Sequence, residues 1–272
     1  MNGPWLLFVH SLKRMRALLL AMAVLLGLFQ FLLILIATAL ERSHAFTSIT
    51  QMLPPFAREF LGASAANFIS FGGMVCQGYF HPVVIGSLVG LAIAIATMPT
   101  SEIESGFMDL LLSRPLARHW IMTRAILLTV FCSLLLLVVM VLCTWAGMSA
   151  FAPRSAVAPP MRTILSMAIN LGLLMLCWSG IAMAIGAASR RRGVAGSIAG
   201  LLALAAFLLD YLARAWPPAE SVAWLSPFRY YNALELIRGF AIHPHDLLVL
   251  GGIASVGFIL AYVLFARRDL SR

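Results

Sequence analysis

Ile121-Met-Thr-Arg-Ala-Ile-Leu-Leu-Thr-Val-Phe-Cys-Ser-Leu-Leu-Leu-Leu-Val-Val-Met-Val-Leu-Cys-Thr-Trp-Ala-Gly-Met148 carries one charge, Arg124, close to its start. A helix needs about 20 apolar residues to cross ~30 Å of hydrocarbon, and this stretch exceeds that. Working outward, Ala17–Leu40, Pro82–Met98, Ile164–Ala188, Val194–Leu212 and Leu247–Ala266 read the same way. The second of the six spans is the shortest and has room to begin before His81. None shows the ten-residue alternation of a membrane β-barrel. The expected fold is therefore all-α and integral to a membrane, one transmembrane domain over residues 1–272. Composition agrees: 62% of residues are hydrophobic and 11% charged, where a soluble domain has about 25% charged.

Charge sets the expected orientation. Lys13, Arg14, Arg16, Arg114, Arg118, Arg124, Arg190, Arg191, Arg192, Arg267, Arg268 and Arg272 fall on one side; the other side has seven basic residues over longer segments. The positive-inside rule then puts both termini in the cytoplasm. The net charge of +9 suits an anionic inner leaflet, and no basic patch is interleaved with exposed aromatics as nucleic-acid binding needs. Ala37-Thr-Ala39 imitates a signal-peptide cleavage site, but the apolar core before it is too long for a signal peptide. Cys76, Cys132, Cys143 and Cys177 are scattered, as small core hydrophobes are.

Outside the spans, Pro4–Arg16 puts Trp5, Phe8, Val9 and Leu12 on one face, which predicts an interfacial elbow helix over 1–16. The alternative is a first span that begins early. Pro54-Pro55 with Phe56, Glu59, Phe60 and Ala63 predicts a short amphipathic helix, and Gly72-Gly73 a turn or close approach. Residues 217–240 are too apolar for a solvated loop and too broken to cross, so a re-entrant helix pair is expected, against a surface helix with an aromatic belt.

The cytoplasmic loop Pro99-Thr-Ser-Glu-Ile-Glu-Ser-Gly-Phe-Met-Asp-Leu-Leu-Leu-Ser-Arg-Pro-Leu-Ala-Arg118 carries the chemistry. Ser101 and Glu104 have capping-box spacing, Pro115 ends the segment, and Ile103, Phe107, Leu110 and Leu111 share a face. The reading is an amphipathic helix over 101–113 tied to a span at each end. Its pattern, with Glu102, Gly106, Leu111, Leu112, Ser113, Pro115 and Arg118 or Arg124, resembles the coupling segment of bacterial type-2 ABC transporter permease subunits. Phe107 departs from the small polar residue usual after that glycine. Leu225-Ser-Pro-Phe-Arg-Tyr-Tyr-Asn232 and Phe265-Ala-Arg-Arg-Asp-Leu270 resemble the same family, within it the NosY-type permeases.

The resemblance implies an inner-membrane half-transporter, most simply an exporter, that pairs with a second permease copy and with two copies of an ABC ATP-binding subunit. ATP and Mg would sit on that subunit, with no cofactor on this chain. Glu102, Glu104 and Asp109 would face the ATPase beside Gly106, while Arg114 and Arg118 anchor the helix at the lipid headgroups. No P-loop is possible in the chain, whose one lysine, Lys13, lies between Leu12 and Arg14. The spans hold neutral polar residues such as Gln30 and Asn170, expected to line a path or a helix interface. Proton-coupled carriers usually keep charges there, which makes a secondary transporter the weaker alternative. A membrane protease is weaker too, since Ser64 and His81 fall in or near a loop. His243-Pro-His245 reads as an interfacial turn before a metal site.

Overall fold

A computed structural model describes residues 3–46, 48, 69–105, 119–154 and 156–267. The Pro54 helix and the terminal Arg268–Leu270 motif lie outside them. The helices are α1 (Gly3–Arg42), α2 (Phe71–Phe80), α3 (Pro82–Ala96), α4 (Met98–Glu104), α5 (His119–Phe151), α6 (Met161–Ala188), α7 (Arg192–Ala215), α8 (Pro217–Glu220), α9 (Ala233–Ile237) and α10 (Pro244–Arg267). Among the described residues there is no strand, and six helical stretches are long and apolar enough to span a membrane.

The last four spans match their expected positions to within a few residues. The first does not stop where the elbow was expected to join it: α1 is one helix of 40 residues, about 60 Å long. No glycine or proline stands between Trp5 and Leu26 to break it. The second span begins earlier than Pro82, at Phe71, where Ser70 Oγ accepts from the Gly73 N–H at 3.1 Å. It is broken at His81, held extended (ψ 129°) by the proline that follows.

Two pairs of helices approach closely through glycine. A Cβ on Gly257 of α10 would stand 2.4 Å from the Gly180 carbonyl carbon of α6, and one on Gly180 would stand 2.6 Å from the Ala254 oxygen. A Cβ on Gly147 of α5 would stand 2.5 Å from Ile34 of α1. Small residues at such crossings let apolar helices pack backbone to backbone where no hydrophobic force separates helix from lipid. Trp178, Tyr79, Leu88, Met122 and Leu136 fill the core between the spans.

The 217–240 segment is a run of short pieces in place of the expected helix pair. It comprises α8, 3-10 turns at Ala223–Leu225 and Pro227–Tyr230, and α9 of five residues. Pro217 and Pro218 open α8 and Pro227 opens the second 3-10 turn, while Gly239 turns the chain at φ 89°.

Candidate functional site

Two arrangements hold the polar side chains, one at each end of the rod that α3 makes. At the end nearer the chain termini, α3 stops at Thr97, whose hydroxyl turns back to the Ile93 carbonyl at 3.0 Å. Pro99 in the first turn of α4 restarts the chain as a helix, three residues ahead of the expected capping box. Ser101 is thus inside the helix and not its cap. Thr100 Oγ1 donates to the Gly186 carbonyl of α6 at 2.9 Å, and a Cβ on Gly186 would stand 2.8 Å from that oxygen.

Glu102 does not lie on the partner-facing surface where it was expected. It is 5% exposed, and its carboxylate is paired with the Arg124 guanidinium of α5, itself 6% exposed. A charge this deep is tolerated only with its opposite in contact, so α4 and α5 are pinned to each other. Glu104 is exposed, and its Oε2 accepts from the Arg192 N–H at 2.9 Å. Arg191, the residue before α7, makes no side-chain cap, so Glu104 supplies the missing acceptor from the end of α4. Arg192 Nη2 reaches on to the Ala94 carbonyl at 3.2 Å. Three of the seven residues of α4, Thr100, Glu102 and Glu104, thereby bond to α6, α5 and α7. Gly106, Asp109, Arg114 and Arg118 lie outside the described residues.

At the other end of α3, the proline break leaves carbonyls of α2 without helical partners. His81 Nδ1 accepts from the Val83 N–H at 3.3 Å, which takes that donor from the Tyr79 carbonyl. Tyr231 restores the balance: its hydroxyl donates to Tyr79 O at 2.8 Å. Tyr79's own hydroxyl meets Thr144 Oγ1 of α5 at 2.9 Å, and His81 lies edge-on to Phe29 of α1. Burial pushes the Tyr231 hydroxyl's pKa well up, so it remains a donor. The His81-Pro82 step is the sequence signal for this joint.

Gln30 serves the same region. Its Nε2 donates to the Val75 carbonyl at 2.9 Å, and its Oε1, with no partner among the described residues, fills the space beside Gly78, where a Cβ would stand 1.8 Å away. That is helix-to-helix bonding. Asn170 on α6 is 1% exposed, and its Oδ1 has no partner among the described residues.

The Leu225–Asn232 motif acquires physical roles. Ser226 donates to the Ala206 carbonyl of α7 at 2.8 Å and accepts from the Phe228 N–H at 3.2 Å. Phe228 stacks at 5.6 Å on Trp178 of α6, and Asn232 donates to Asp246 of α10 at 2.9 Å. His243 and His245 turn to different acids, Glu235 and Asp246, and no metal-binding cluster occurs among the described residues.

Two cavities open at this end. One of about 690 Å³ lies between Glu41, Ser70, Gly72, Pro159 and Arg238. A second of about 220 Å³ lies between Phe80, Ile85, Phe207, Asp210, Arg214 and Tyr231. No curated protein sequence matches the chain. The model of the DUF2705 family, described as proteins of unknown function, matches residues 51–271, and the chain belongs to that family.

Proposed function

We propose that this chain is the transmembrane permease subunit of an ATP-driven ABC transporter, an exporter of the bacterial inner membrane with both termini cytoplasmic. Two copies of a separate ATP-binding subunit carry ATP and Mg, and a second permease copy completes the path. The observation that carries this reading is the α4 junction. A short helix at the end near the termini is bonded to α5 through Glu102–Arg124, to α6 through Thr100–Gly186, and to α7 through Glu104–Arg192. It also continues α3 with only Thr97 between them. A load applied there reaches four spans at once.

The division of labour among the acids differs from the one the family resemblance implies. Glu104, with Gly106 and Asp109, meets the ATPase; Glu102 passes the displacement to α5 from inside the protein. Arg114 and Arg118 hold the segment at the headgroups. A face of α3 suits the second copy, because Gly86 and Gly90, one turn apart, have no described atom within 4 Å of where a Cβ would be. Backbones approach across such a face.

Coexpression with an ABC ATP-binding subunit from the same genome tests the proposal. The expected result is a stable complex whose ATPase activity depends on Glu104. Turnover of a substrate by the purified chain alone, or labelling of a Ser101→Cys variant from outside intact cells, overturns it.

A further inference from the structure

The smaller cavity has a charge arrangement that the α4 junction does not explain. Asp210 on its wall is 8% exposed. Arg214 bonds one carboxylate oxygen only, reaching Oδ2 from Nε at 3.1 Å and from Nη2 at 2.8 Å. No hydrogen bond from a described residue reaches Oδ1. A carboxylate oxygen in aromatic surroundings gains from an N–H donor. Phe207 lies edge-on to Phe228 at 5.5 Å, and Phe80 and Tyr231 add further rings, so the walls also favour a cation.

Arg214 narrows the choice. Its side chain is 50% exposed, so a positive charge sits at the margin of the cavity while the negative one lies inside. A simple cation meets Arg214, and a simple anion meets Asp210. A zwitterion whose ammonium leads and whose anionic group trails satisfies both. At about 220 Å³ the space is below the ~300–1,000 Å³ of pockets that enclose a whole ligand, and it suits a headgroup. Exposed Leu201, Leu204 and Leu208 form a stripe along α7, which Tyr211 at the cavity continues. Acyl chains fit along it.

We infer that the Asp210–Arg214 cavity binds the headgroup of a zwitterionic phospholipid with a primary ammonium, of the phosphatidylethanolamine type. The ammonium donates to Asp210 Oδ1, the phosphate lies on Arg214, and the chains follow the α7 leucines. A quaternary ammonium has no N–H for Oδ1, which separates this ligand from phosphatidylcholine.

Native mass spectrometry on the delipidated full-length chain tests this, with dioleoyl phosphatidylethanolamine, phosphatidylcholine and phosphatidylglycerol. Phosphatidylethanolamine is expected to bind roughly tenfold more tightly than phosphatidylcholine, as one charge-assisted hydrogen bond implies. Asp210→Asn should erase that preference without weakening phosphatidylglycerol binding, since it removes a charge of like sign. Equal binding of the ethanolamine and choline lipids by the wild-type chain overturns the inference, whether or not the variant folds. So does a preference that survives Asp210→Asn. Binding of glycerophosphoethanolamine as tight as that of the lipid overturns the lipid assignment in favour of a soluble ligand. None of these outcomes bears on the permease proposal, which is decided by complex formation with the ATPase.

Discussion

The two ends of α3 are held by opposite kinds of chemistry. At α4 a buried carboxylate and a buried guanidinium share one contact, with both side chains 6% exposed. At His81 the holding bonds are neutral: tyrosine, threonine and glutamine side chains on backbone or hydroxyl oxygens. A buried ion pair tolerates no half measures, because the surviving partner is stranded in a medium that does not solvate it. Neutral bonds fail one at a time, each at a modest cost. One end of the rod is therefore held by a buried charge pair and the other by neutral hydrogen bonds.

Four substitutions test that contrast, in descending order of expected effect. Glu102→Gln should destabilise the chain by about 3–5 kcal/mol in a reversible unfolding assay, since Arg124 stays buried and charged. The swap of Glu102→Arg with Arg124→Glu should recover much of that loss; no recovery would mean that the pair is not what pins α4 to α5. Tyr231→Phe removes the donor to a buried carbonyl and should cost about 1–2 kcal/mol. Amide exchange should then rise in peptides covering 79–85 and not in 119–130. The Tyr231 bond should also be pH-insensitive over the neutral range. A raised pKa means that its contribution is complete below the ordinary tyrosine value of about 10 and is lost only as pH rises through the folded value.

Gly78→Ala should cost about 0.6–2 kcal/mol by displacing the Gln30 amide from Val75 O. In a Gln30→Ala background the same change should be nearly silent, and additive losses would show that Gly78 is required for some other reason. The smallest effect belongs to Glu104→Gln, about 0.5 kcal/mol or less on stability, because an exposed acceptor at a helix N-terminus contributes little in water. If Glu104→Gln proves as damaging to stability as Glu102→Gln, the distinction between a buried clamp and a surface contact collapses.

Much of this was open to inspection in the chain itself. Apolar length located the six spans, since lipid demands a fully hydrogen-bonded backbone and helices meet that demand locally. Pro99 and the acids around it marked a special segment after the second span. Partnership was not legible. Glu102 and Glu104 are two residues apart with the same side chain, yet one is buried against Arg124 and the other caps α7. Periodicity places a residue on a face; it does not say what the face meets. The same limit applies to the in-span glutamine, whose bond to Val75 depends on a glycine 48 positions later leaving it room.

Local sequence alone thus determined that this is a helical membrane protein, where its spans run and which loop carries charge. Those properties follow from the cost of apolar surface in water and of bare peptide groups in lipid. Only the tertiary structure decided which carbonyls the His81 break sets free, that Tyr231 comes from a distant turn to meet one, and that Arg124 neutralises Glu102. The physical reason is range: hydrophobicity acts residue by residue along the chain, whereas a buried hydrogen bond or ion pair exists only once two remote segments are in contact.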